Sequence, residues 1–264
     1  MQCGILTLMP LDSVQVMVEA FKRFAQRFRS PLIGEGDGIA HSFGNVPLLF
    51  FNAWIQTRPA STPTEMRSLL QTGIERAATC SYPAAGILRP DWLPAGWEEL
   101  VREAGLAPLM SLSGMEALHI IGPRRLPPSI QIRRVTDEAT ARDLAEVNAL
   151  AYGMPKEGFE CMANFHFWDD SAFAGWVGYV DGNAVSTAAA LPVAGTVYIA
   201  MVATLPGQQG KGYADTVVRH AIAQGRLTTG AASTTLHATP MGEPVYRAMG
   251  YALTAGFTLV TQQQ

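Results

Sequence analysis

The residues best placed to do chemistry fall between Val202 and Ala214, where Gly207, Gln209, Gly210, Lys211 and Gly212 crowd into six positions. Before them runs an apolar, strand-like stretch, 196–203. After them Ala214, Val217, Val218, Ala221 and Ile222 recur at helical spacing. Strand, glycine-rich turn and helix start, in that order, make an anion site. Small residues let the backbone close around a phosphate, and the unpaired N–H groups of the first helical turn point into the loop. The helix dipole and Lys211 add positive potential there. The arrangement reads as a pyrophosphate cradle.

Two familiar cradles do not fit. A Walker loop needs Ser or Thr after Gly-Lys, and here Lys211 is followed by Gly212. A doubly wound dinucleotide domain needs far more chain than the roughly fifty residues that follow. What fits is Gln-x-x-Gly-x-Ala, at Gln209, Gly212 and Ala214. A second motif lies downstream. After a strand-like run at 233–238, Pro244 suits a first helical turn and Gly250 a helix stop, with Tyr246 four residues before Gly250 and Tyr251 just after it.

Together, the Gln-x-x-Gly-x-Ala loop and the Tyr-x-x-x-Gly-aromatic helix end resemble the GNAT acetyltransferase superfamily over roughly residues 130–260. The resemblance implies a mixed sheet flanked by helices and an N-acetyltransferase using acetyl-CoA as cosubstrate, with no metal. It implies that the pantetheine arm bonds to the backbone of Val202, Ala203 and Thr204. Gln209, Gly210, Lys211, Gly212, Tyr213, Ala214 and Asp215 would then form the pyrophosphate loop. Tyr246 matches the tyrosine that protonates the leaving thiolate. His237, on the strand beside the thiol channel, has a suitable intrinsic pKa for the base. Glu160, His166, Asp169 and Asp170 are further candidates in the segment expected over the acceptor, and a water relay is another route. Phe159, Phe165, Phe167 and Trp168 either line an acceptor pocket or pack the core. The acceptor is expected to be a primary amine of a small molecule. The alternative is a non-catalytic acyl-CoA sensor that keeps the loop and needs neither Tyr246 nor a base.

The elements that must position these groups follow from composition and pattern. The chain has 264 residues, 48% of them hydrophobic, and a formal net charge of −3. Residues 1–128 balance 11 basic against 11 acidic side chains, and 129–264 hold 8 against 11. This near-neutral balance argues against a nucleic-acid binder, which would show a basic face. The uncharged stretch 182–210 is long enough for a membrane span, but Pro192 and Gly195 break it, so two buried strands are expected and no membrane partner. Cys3, Cys80 and Cys161 lack any metal or disulfide spacing, and the opening ten residues do not read as a signal peptide. A cytoplasmic protein is expected.

Helices are expected at 11–29, 61–78 and 96–104, with strands at 39–43, 48–55, 86–88 and 109–118. The proline-rich run 122–128 reads as a linker, a new strand starts at Ile130, and Asp137 opens a helix to Tyr152. The fold class is α/β (α+β), with an N-terminal α+β unit at 1–125 and the GNAT-like unit at 129–264. Helix, terminal glycine and strand at 97–106 echo those at 245–251. The first half is thus either a degenerate, cofactor-free GNAT-like copy or an accessory domain, since such junctions are common.

Overall fold

The computed structural model describes residues 11–263; the opening ten residues, with the reading that they are no leader and Cys3 among them, lie outside the described part. The first half runs α1 (Ser13–Ala25), β1 (Leu32–Gly36), β2 (Ile39–Phe43), β3 (Asn52–Gln56), α2 (Pro63–Ala77), β4 (Ala85–Leu88), α3 (Trp97–Glu103) and β5 (Leu106–Ala117). The second runs β6 (Gln131–Arg134), α4 (Glu138–Tyr152), α5 (Lys156–Ala163), β7 (Ala174–Val180), β8 (Asn183–Val193), β9 (Thr196–Thr204), α6 (Tyr213–Thr229), β10 (Thr234–Ala238), α7 (Glu243–Ala248) and β11 (Ala252–Gln262).

The eleven strands of the described residues form one sheet, in the order β1-β2-β3-β4-β11-β5-β10-β9-β8-β7-β6. From β1 and from β7 onward the two halves use the same element order: three antiparallel strands, a helix, a parallel strand, a short helix, a last strand; ahead of these the first half has α1 and the second has β6, α4 and α5. The parallel pairs are β3 with β4 and β9 with β10, each bridged by a helix as a parallel connection requires. The last strands change places. β5 lies beside β10 of the second half, and β11 beside β4 of the first. They also pair with each other from Ala252 opposite Glu116 to Gln262 opposite Leu106. Each half therefore completes the other's sheet.

Alternation along the strands separates two layers of helices. On β3, Trp54 packs with α2 and α3, while Ala53 and Ile55 pack beneath α1. The Trp54 ring lies so close to Gly73 and Gly86 that a Cβ there would stand 2.8 and 2.2 Å from it. Ring and glycines fit only together. On β9, Val197 and Ile199 meet α6, whereas Tyr198 faces the core shared by α1, α4 and α5. That core carries an aromatic cluster in which Phe24, Phe28 and Phe51 of the first half touch Phe167 and Phe173 of the second.

The expected strand at 48–55 begins instead with a 3-10 turn, Leu49–Phe51. The buried Asn52 amide donates to Val46 O (2.7 Å) and Leu48 O (3.4 Å), giving those carbonyls a partner outside any sheet. No helix among the described residues is long and apolar enough to cross a membrane.

Candidate functional site

Strands β9 and β10 are paired for only two positions, Val197 with Thr234 and Tyr198 with Thr235. Beyond them the strands part. Between its pairings with Ala189 and Thr187, β9 carries an extra residue, a bulge at which Met201 adopts φ +51°. The parting and the bulge open a cleft of about 390 Å³ between the end of α4, β9, the 205–212 loop, the start of α6, β10 and α7.

The bulge is held by side chains from three directions. Met201 O accepts from Thr187 Oγ1 (2.9 Å), Val202 O from Tyr152 Oη (3.2 Å), Ala203 O from Ser186 Oγ (2.9 Å) and Thr204 O from Gln209 Nε2 (3.3 Å). Behind Thr187, the buried Asn148 Nδ2 donates to Thr187 Oγ1 at 3.0 Å. Four successive carbonyls are thus committed. Tyr152, Ser186, Thr187 and Asn148 carry no motif and escaped sequence reasoning; their hydroxyls and amide come together only through sheet register.

The loop then turns into α6. Gly210 has φ +74° and Gly212 φ +85°, values that side chains resist. Gly212 is the N-cap of α6, and no side chain caps that end. The N–H groups of Tyr213, Ala214 and Asp215 therefore have no partner within the helix and face the loop. The matching helix of the first half is closed. Thr62 and Glu65 form a capping box on α2, so a carboxylate already occupies the place an anion would take.

The expected loop residues gather on one wall: Val202, Ala203, Thr204, Gln209, Gly210, Gly212, Tyr213, Ala214 and Asp215 all line the cleft. Lys211 lies outside the lining, with Nζ 2.7 Å from Gln208 Oε1. The Asp215 carboxylate is tied to Arg219 Nε at 2.8 Å. Both Tyr246 and His237 also line the cleft, yet their surroundings differ.

Tyr246 is buried, edge-on to Tyr251 with ring centroids 5.7 Å apart. Burial drives its pKa well above the ordinary phenol value, so it carries its proton at neutral pH. His237 uses both ring nitrogens, with Nδ1 2.9 Å from Tyr198 Oη and Nε2 3.4 Å from Ser13 Oγ. Its ring meets Phe257 edge-on at 5.3 Å. Burial pushes its pKa down to about 3. A group that weakly basic retains an ammonium's proton poorly, so burial weakens His237 as a base. It joins α1 of the first half to β9 and β10 instead.

The other candidates disperse. Glu160 is exposed, and His166 is exposed and 3.2 Å from Asp169. Asp169 and Asp170 both pair with Arg27, which also donates to Phe167 O at 2.9 Å. Phe159, Phe167 and Trp168 are core residues, and Phe165 packs against the same core. Burial lifts the Cys161 thiol to about 12, which leaves it inert.

The family model for the acetyltransferase (GNAT) family matches residues 142–251. No curated protein sequence matches the chain. Among solved structures, a GCN5-related N-acetyltransferase from Kribbella flavida superposes with a TM-score of 0.66 at 16% identity, covering 95% of this chain and 96% of its own. A conserved protein of unknown function from Staphylococcus epidermidis gives 0.65 at 15%, covering 91% and 98%. A GCN5-related N-acetyltransferase from Sphaerobacter thermophilus gives 0.56 at 17%, covering 85% and 76%. The likeness takes in both halves, so the two-half sheet is a fold these proteins share.

Proposed function

From the premise that residues 142–251 form a GNAT acetyltransferase domain, we propose that the protein is an acetyl-CoA-dependent N-acetyltransferase acting on a primary amine of a small molecule. The observation that carries this is the uncapped, glycine-built N-terminus of α6, opening on a cleft that runs to the parting of β9 and β10. The first half resembles a degenerate copy of the second, its equivalent helix end sealed by Glu65.

When bound, acetyl-CoA supplies the activated acyl thioester. Backbone N–H groups of residues 210–215 receive the pyrophosphate, and β9 beyond its last pairing with β10, at Val202, Ala203 and Thr204, aligns the arm. The bonds that fix the bulge hold that edge before any ligand arrives, so little ordering remains to be done on binding. Tyr246 holds a proton at Oη for the departing thiolate. Its raised pKa does not forbid the transfer, because a thiolate leaving in the same apolar cleft would have its own pKa raised by the same burial. The amine's proton leaves through water, since the cleft's carboxylate, Asp215, is paired and its imidazole is a weak base. Coverage of the sheet face of the second half by α1 of the first favours a small acceptor over a folded protein. Cysteine usage supports a cytoplasmic setting.

The test is a panel of small primary amines with acetyl-CoA, read by thiol release, with Tyr246→Phe as control. Turnover with at least one amine, lowered in the variant, supports the reading. Acetyl-CoA binding without turnover across the panel favours the sensor.

A further inference from the structure

The stretch joining the two halves is laid along α6. Arg226 Nη2 donates to Leu118 O at 2.9 Å and Arg219 Nη1 to Ile121 O at 2.5 Å. Further on, Pro128 Cδ lies 3.5 Å from where a Cβ on Gly212 would stand. Gly212, Arg219 and Arg226 are spaced by two helical turns, so successive anchors are about 10 Å apart along one side of the helix. Residues 118–121 cover the first interval nearly extended. Residues 121–128 have seven steps for a similar interval, whereas extended chain would reach about 23 Å.

The surplus is taken up in a bend at Arg124 and Arg125, and both side chains are exposed. Neither forms an ion pair or a side-chain hydrogen bond among the described residues. The cations nearest the loop are engaged, Lys211 with Gln208 and Arg219 with Asp215 and Ile121 O. Two uncommitted guanidinium groups therefore stand on the segment that runs beside the first turns of α6, between its anchors at Arg219 and at Gly212, the last of which lines the cleft.

CoA carries a phosphate that the loop does not account for. With its pyrophosphate on the N–H groups of α6, the monoester on the ribose 3′ oxygen stays outside, at the surface. A guanidinium pair matches such a dianion through forked, charge-assisted hydrogen bonds. We propose that Arg124 and Arg125 complete the cofactor site by binding the 3′-phosphate of CoA, an inference that rests on the cleft binding CoA as proposed above. The linker then serves recognition as well as connection.

The experiment is calorimetric titration of CoA and of 3′-dephospho-CoA into the full chain, the Arg124→Ala/Arg125→Ala variant, the Arg124→Lys/Arg125→Lys variant and Lys211→Ala. The wild type is expected to bind CoA about five- to tenfold more tightly than the dephospho form at low ionic strength, the gap shrinking with salt. The double alanine variant closes the gap by weakening CoA alone, the double lysine variant keeps part of it, and Lys211→Ala leaves it. Equal wild-type affinities, a gap that survives the double alanine change, or a gap that disappears in Lys211→Ala would overturn the proposal. Failure of the wild type to bind either compound would overturn the cofactor reading itself, a distinct pattern.

Discussion

Replacing Thr187 by valine keeps the side chain's branching and volume and removes only its hydroxyl. That hydroxyl donates to Met201 O at 2.9 Å and accepts from Asn148 Nδ2 at 3.0 Å. Thr187 and Asn148 are 0% and 1% exposed, so water cannot readily replace what is lost. Asn148 keeps its bond to Leu144 O at 2.9 Å, which softens the loss on that side. An unsatisfied buried polar group costs about 1–3 kcal/mol, so the pair costs about 2–5 kcal/mol. The bulge is where this falls, because Met201 at φ +51° already sits in a conformation that costs a side-chain-bearing residue about 1–2 kcal/mol. At this chain length the melting temperature should drop by about 5–15 °C. Acetyl-CoA affinity should fall with it, since the edge at Val202 and Ala203 loses its brace. Scanning calorimetry and titration read the two effects, and Thr187→Ser, which retains the hydroxyl, should recover most of the affinity. A Thr187→Val protein melting within a degree of wild type, with unchanged affinity, would refute the claim that these bonds fix the bulge.

Three other outcomes are expected. Tyr246→Phe should lower kcat by about a hundredfold while leaving acetyl-CoA affinity within about twofold; steady-state kinetics check this, and an unaltered kcat removes the acid role. Ala200→Trp fills the cleft wall and should abolish acetyl-CoA binding while the protein stays folded by circular dichroism. For pH, His237 titrates near 6.5 when unfolded and at about 3 when folded, so below 6.5 the unfolded chain takes up a proton that the folded one refuses. Stability should then fall as pH drops from about 6.5 towards 3, by at most about 1.4 kcal/mol per unit from this group, with no contribution above 7. His41 and His220, also lowered by burial, add to the slope in the same direction. The stability read from denaturant melts should therefore fall less steeply with falling pH for His237→Gln than for wild type, and an equal pH slope would contradict the assignment.

What could be read in the sequence was local. The loop from Gly207 to Gly212, the apolar face of α6 and the Pro192-x-x-Gly195 turn each announce themselves within a dozen residues, and all lie where expected. Pairing between distant strands does not. Nothing in Leu106–Ala117 or Ala252–Gln262 says that each will sit in the other half's sheet, because both are apolar strands of similar length and the choice is made by contacts over a hundred residues away. The short β1, with two glycines in five residues, escaped notice for a related reason: an edge strand buries too little to leave a pattern. His237 reads as a base because its intrinsic pKa is suitable, and the burial that lowers that pKa comes with packing against Tyr198 and Phe257, neither of them a sequence neighbour. The aromatic run around Trp168 had two readings, and packing against the first half resolved it in favour of core.

The central claim is that the open end of α6 holds the pyrophosphate of acetyl-CoA, and titration of acetyl-CoA into wild type and Gly212→Asp tests it most directly. An aspartate there places a carboxylate at the N-cap of α6, the position that Thr62 holds on α2. At about 5 Å from a phosphate charge and an effective dielectric near 20, the repulsion is about 3 kcal/mol, more than a hundredfold in affinity. Micromolar binding to wild type, lost in a folded Gly212→Asp protein, is the predicted result. Equal binding to both proteins, or none to wild type, would contradict the account.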